Sequence, residues 1–140
     1  MARSRRRTRT TPPQRLILDS GAVIALSRKD LRARAALAAA REAGVEVSIP
    51  SVVLAETVRG SAEDAPVNRV IKAVGEVISA DERTGRSAGA LLGAAASTST
   101  VDALVVASAI ELGGGVVLTG DPDDLAPLAG GHPEVVISAL

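Results

Sequence analysis

The chain has 140 residues and no net formal charge, with neither cysteine nor any Phe, Tyr or Trp. That length suits one domain with one core, which Leu, Val, Ile and Ala must fill without aromatic help. A cysteine nucleophile, a disulfide and a thiolate metal site are excluded, and no apolar run approaches the roughly 20 residues a membrane span needs.

The neutral total hides a split. Arg3, Arg5, Arg6, Arg7, Arg9 and Arg15 are the only charged residues before Leu16, so +6 faces −6 on the remainder. Residues 1–14, mixed with Ser, Thr and Pro12-Pro13, read as a disordered Arg-rich arm. Arg3, Arg5, Arg6, Arg7 and Arg9 can track nucleic-acid phosphates. A solvated tail or a misplaced start codon accounts for them equally well. The start lacks the apolar stretch of a secretory signal, so a soluble cytoplasmic protein is expected.

Leu16-Ile17-Leu18 is a short apolar run of the kind buried in a parallel sheet. It ends in Asp19, Ser20 and Gly21. A charge beside a core strand is costly unless paired or holding a metal. In open α/β sheets, ligands sit just beyond the carboxyl ends of central strands. Asp19 is therefore a candidate site residue; the plainer reading makes Asp19 or Ser20 the N-cap of a helix over 21–27. Asp30 reads as N-cap of a helix over Leu31–Ala43 that stops at Gly44. Val45–Ile49 alternates as a second strand. Ser51 then caps a helix carrying Glu56 and ending at Gly60. Asp64 caps a further helix through Val67, Val70, Ile71 and Val74. Val77-Ile78 is a short strand, and Asp81 precedes a helix over Glu82–Ala96, weakened by Gly85, Gly89 and Gly93.

After the polar break Ser97–Thr100, Thr100 caps a buried helix over Val101–Leu112 with Asp102 in its first turn. Val116–Thr119 is the next strand, followed directly by Gly120-Asp121-Pro122-Asp123-Asp124, with Pro122 opening a short helix. Glu134–Ser138 is a last, edge strand. Strands alternating with helices predict an α/β/α sandwich around a mostly parallel sheet.

Asp19 and Asp121 each end an apolar strand, and Glu56 and Asp102 lie on otherwise apolar helices. Four acids from four segments can converge, and such a cluster needs a divalent cation. All-oxygen ligands point to Mg²⁺ or Mn²⁺ rather than zinc. One or two such ions activate water and stabilise in-line attack at phosphorus. Each acid also has a plainer reading as cap, turn or solvent-facing residue. Ser20 and Thr119 are candidate outer partners. His132, in a Gly-Gly-His-Pro loop, is assigned no role.

Four segments, Leu16–Ser20, Leu54–Gly60, Val101–Ala107 and Leu118–Leu125, resemble in order and spacing the PIN domain, in particular the VapC-type toxins of bacterial toxin–antitoxin pairs. The resemblance covers residues 15–140. It implies a PIN-like three-layer fold, a Mg²⁺- or Mn²⁺-dependent endoribonuclease, an antitoxin partner and a homodimer. It assigns Asp19, Glu56, Asp102 and Asp121 to an acidic quartet, with Thr119 and Asp124 as additional site members; Asp123 matches less clearly. Many relatives carry an aromatic where Leu125 stands, and a hydroxyl or amide where Gly21 stands. The first change should touch packing only, and the second removes a polar contact near the metal. Lacking aromatics, the chain would hold RNA through phosphates, Arg side chains and shape.

Two other classes compete. A phosphatase or phosphotransferase would use Asp19 as nucleophile; the haloacid-dehalogenase type wants a second acid where Gly21 stands, and a receiver domain wants a lysine at a late strand end. Lys29 and Lys72, the only lysines, lie in helical contexts. A non-catalytic binding module is the other, and the intact acids argue against it.

Overall fold

A computed structural model describes residues 15–140. The Arg-rich arm over 1–14 therefore lies outside the described residues. The strands are β1 (Arg15–Leu18), β2 (Glu46–Pro50), β3 (Val77–Ile78), β4 (Gly115–Thr119) and β5 (Val135–Ala139). The helices are α1 (Ser20–Ser27), α2 (Leu31–Glu42), α3 (Ser51–Thr57), α4 (Ala65–Val74), α5 (Glu82–Ala95), α6 (Thr100–Glu111) and α7 (Pro122–Ala129). No single helix among the described residues is long and apolar enough to cross a membrane.

The sheet runs β3-β2-β1-β4-β5, and every pairing is parallel. Parallel neighbours need crossovers, and crossovers are right-handed. From β1 the chain steps one way to β2 and β3, then returns past β1 to β4 and β5. The two directions place α1–α4 over one face and α5–α7 over the other, which gives three layers. The step reverses between β1 and β4, and a ligand crevice is expected at such a reversal.

Both faces being covered, the central strands are mostly apolar: Ile17, Leu18, Ile49 and Val117 are fully buried and Leu118 nearly so, with Ser48 and Thr119 the buried polar exceptions. Small residues replace aromatic bulk, with Ala103, Ala107 and Ala109 of α6 and Ala22 of α1 fully buried. Leu125, where relatives carry an aromatic, is itself fully buried.

Three assigned caps differ. Pro50, not Ser51, precedes α3, and Ser99, not Thr100, precedes α6; neither makes a side-chain cap bond. Asp64 stands at the start of α4 but does not cap it. Its carboxylate instead accepts the backbone N–H groups of Arg59 (3.0 Å), Gly60 (2.7 Å) and Ser61 (3.2 Å), pinning the loop that follows α3. Helix α3 stops at Thr57, and Gly60 lies beyond it with φ +81°. Asp30 and Asp81 do cap α2 and α5, accepting from Ala33 and Thr84 at 2.9 Å each.

Candidate active site

Asp19 follows β1 directly and is 8% exposed. Its Oδ1 accepts the Ala22 N–H at 3.0 Å, so it does cap α1. The Asp19 N–H donates to the Leu118 carbonyl at 3.2 Å, continuing the β1–β4 ladder one step past Leu18 and Leu118. Burial pushes the Asp19 carboxyl up from the usual carboxylate range. The Thr119 hydroxyl and the Ala22 N–H work against that, and the Asp121 charge adds to it.

Thr119, the last residue of β4, is fully buried, and its Oγ1 accepts the Asp121 N–H at 2.8 Å. That bond folds the chain back as it leaves the sheet. Asp121 precedes α7, yet its carboxylate makes no cap bond and is exposed. The plain cap reading of Asp121 therefore does not apply.

Glu56 is exposed by area, but it does not face empty solvent: the Ser20 hydroxyl donates to its Oε1. A residue of α1 next to Asp19 thus reaches the acid carried by α3. Asp102, half-buried in the first turn of α6, completes the group. Burial raises its carboxyl first; then come the charges of Asp124, Glu56, Asp19 and Asp121, all raising it. Asp102 therefore feels each other acid assigned from sequence, and Asp124 as well. Asp123 is absent from that set.

Among the described residues, no Lys or Arg forms an ion pair with any of these five acids. Nor do three acids stand close enough, as placed, to grip one ion. What the fold assembles is an unneutralised group of oxygen donors at the β1/β4 reversal. Hard, oxygen-only donors with uncompensated mutual repulsion suit Mg²⁺ or Mn²⁺ in chemistry and charge. Holding such an ion would fall to Asp19, Glu56, Asp102 and Asp121, drawn closer together than they stand here.

The model of the PIN domain family matches residues 16–130, which span β1 through the end of α7 and all of these acids. The chain belongs to the PIN domain family. This PIN domain has no match among curated protein sequences. Its fold resembles a chain of VapBC2 from Rickettsia felis bound to a promoter DNA fragment, with TM-score 0.70, 14% identity, and 89% and 98% of the two chains covered. A toxin–antitoxin complex from Klebsiella pneumoniae matches with TM-score 0.66 at 20% identity, covering 86% and 95%. DNA-bound VapBC from Salmonella typhimurium matches with TM-score 0.67 at 18% identity, covering 90% and 98%.

The competing enzyme classes gain nothing from the geometry. Lys29 follows the end of α1 and Lys72 lies within α4, so neither stands at a strand end. Two features escaped the sequence reading. One is the Asp64 clasp, whose trace is an acid a few residues after Gly60. The other is at Gly21, where a Cβ would stand 2.9 Å from the Gly120 nitrogen. The space for a hydroxyl or amide there is taken by backbone.

Proposed function

We propose that this PIN domain is a Mg²⁺- or Mn²⁺-dependent endoribonuclease and the toxin of a toxin–antitoxin pair. On this reading it works in the cytoplasm as a homodimer and is held in check by a cognate antitoxin protein. The observation that carries the reading is the gathering of acids at the β1/β4 reversal: the Asp19 N–H continues the β1–β4 ladder, Thr119 folds the chain back at Asp121, and Ser20 beside Asp19 donates to Glu56, with no Lys or Arg paired to these acids among the described residues. Membership of the family supports a nuclease. Likeness of fold to chains from toxin–antitoxin complexes supports a protein partner.

Asp19, Glu56, Asp102 and Asp121 would hold the cation, with Asp124 beside them. Bound there, the cation supplies a water of lowered pKa and charge stabilisation for in-line attack at phosphorus. The chain's own part is to hold acids in place. The Ala22 N–H fixes one Asp19 oxygen and the β1–β4 ladder fixes its backbone. Thr119 fixes the backbone that carries Asp121, and Ser20 restrains the long Glu56 side chain. With no aromatic residue for stacking, RNA is gripped through its phosphates and its shape. The arm residues Arg3, Arg5, Arg6, Arg7 and Arg9 supply cations for that purpose.

RNA cleavage tests the reading. Activity should require Mg²⁺ or Mn²⁺ and stop with EDTA. Asp19→Asn, Glu56→Gln, Asp102→Asn and Asp121→Asn should each lower it by about 100-fold or more, the scale of losing one preorganised electrostatic contributor. Circular dichroism should show the fold retained. Normal cleavage by Asp19→Asn would overturn the assignment.

A further inference from the structure

Beside the acids, the backbones of two glycines approach closely. A Cβ built on Gly21 lies 2.9 Å from Gly120 N, 3.1 Å from Gly120 Cα and 3.5 Å from Asp19 Oδ1. The first separation is closer than a real Cβ stands to any packed atom and the second is tighter than most such contacts, and the obstructing atoms are backbone, with no rotamer to swing aside. The relation is not mutual. A Cβ on Gly120 meets Gly21 Cα at 3.6 Å and Leu140 Cδ1 at 3.8 Å, which are ordinary contacts. Neither glycine has a left-handed φ. Gly21 is therefore required for space, not for conformational freedom.

The approach joins the two segments that carry Asp19 and Asp121. Gly21 lies in the first turn of α1, two residues after Asp19, and Gly120 lies between Thr119 and Asp121. Ladder bonds hold the strands below this point; at the turn the Thr119 Oγ1 accepts the Asp121 N–H, the Thr119 carbonyl accepts the Leu140 N–H, and this contact seats the turn against α1. A side chain at residue 21 has to push the turn and α1 apart. Asp121 would move away from Asp19 with it.

We propose that Gly21 is a positioning residue: its missing Cβ lets the β4–α7 turn seat against α1 and sets the separation of Asp19 and Asp121 for one divalent cation. The inference rests on the acids being a cation site. It runs opposite to the expectation from the family resemblance. If Gly21 merely marked a lost polar contact, a serine there would restore it and tighten ion binding. Close approach makes the serine harmful.

Full-length wild type, Gly21→Ala, Gly21→Ser and Gly120→Ala decide between these. Mn²⁺ affinity is read by titration calorimetry, and amide hydrogen exchange is read on the ion-free proteins. Both Gly21 variants should bind Mn²⁺ about 10- to 100-fold more weakly, the usual cost of disturbing a residue that orients ligands. Their Asp121 N–H should exchange faster. Gly120→Ala should match wild type in both. Tighter binding by Gly21→Ser overturns the proposal, and so does unchanged affinity with unchanged exchange in Gly21→Ala. A wild type that binds no Mn²⁺ removes the cation reading alone; exchange at Asp121 then still decides the positioning, faster in support and unchanged against. Should both Gly21 variants fail to fold, wild type carries the test. Added Mn²⁺ should broaden the Gly21 and Gly120 amide resonances together, and sharp signals from both with Mn²⁺ bound overturn it.

Discussion

Asp19 serves with one carboxylate as the cap of α1 and as the most buried acid of the site. The two roles favour different protonation states. The Ala22 and Thr119 bonds favour the anion, while burial and the Asp121 charge oppose it more strongly, so the folded value is raised. The sign of the pH effect follows. A carboxyl whose folded value exceeds its unfolded one confers stability below the unfolded value and loses it as pH rises through the folded value. Asp102 behaves the same way. In ion-free protein both therefore favour unfolding at neutral pH. Asp19→Asn retains the Oδ1 that accepts from Ala22 and drops the charge, so it should melt higher than wild type near pH 7. The gap should close on acidification, and a melting series across pH 3–8 reads it. Asp64 has the opposite sign. Burial works against its charge, but the N–H donors of Arg59, Gly60 and Ser61 and the Arg59 charge outweigh it and hold the carboxyl below the usual range. Its contribution is present above the unfolded value and is lost as pH falls through the folded one. Asp64→Asn should accordingly lose stability at neutral pH and speed exchange at the 59–61 amides. Asp19 was legible in the sequence because an acid ending an apolar run has no cheap explanation. Asp64 was not, because its role lies in three backbone donors upstream, which leave no side-chain signature.

At the scale of elements, apolar runs, caps and breakers located the strands and α-helices, and most boundaries moved by a residue or so, though α3 ends at Thr57 rather than at Gly60. Two of the misplaced caps share one cause. Ser51 and Thr100 are good N-cap types, but each sits one residue inside its helix, where backbone geometry rather than residue type decides. Pro50, with φ −62°, suits the entry to α3 without offering a side-chain acceptor. Leu125 illustrates how an element is held without aromatics. It is fully buried in α7, the helix that follows Asp121 directly. Leu125→Ala should cost about 2–5 kcal/mol by opening a cavity in a core with little bulk to spare. Chemical denaturation reads that loss directly. Leu125→Phe, despite the aromatic common in relatives, should also destabilise, by about 1–3 kcal/mol, because this core is already closed around leucine.

For the whole molecule, alternating strands and helices announced an α/β/α sandwich, but the order β3-β2-β1-β4-β5 was not written in them. Which strands become neighbours depends on crossovers, and no local pattern records that. The order matters because the reversal between β1 and β4 brings Asp19 and Asp121 to one edge of the sheet, where a ligand is expected. Only the shared strand–acid–turn pattern of the two segments hinted at it. The Arg-rich arm remains a proposal at this scale. If it contacts substrate phosphates, deleting residues 1–12 should weaken RNA binding and lower the log–log salt slope by roughly 0.7 per lost contact. An unchanged slope would return the arm to a solvated tail. A restrained toxin should arrest growth when expressed alone and be relieved by a small protein encoded beside it; harmless expression of active enzyme would point to a housekeeping ribonuclease.

Convergence of the acids on one cation is central, and thermal melting of wild type and Asp19→Asn with and without Mn²⁺ tests it most directly. A dye must report the transition, since the chain has no Trp or Tyr. Wild type should gain about 2.7 kcal/mol when Mn²⁺ is present at a hundredfold excess over its dissociation constant. Asp19→Asn should start higher without the ion and gain much less from it. If Mn²⁺ leaves the wild-type transition unmoved and Asp19→Asn melts lower without it, the acids do not form a cation site.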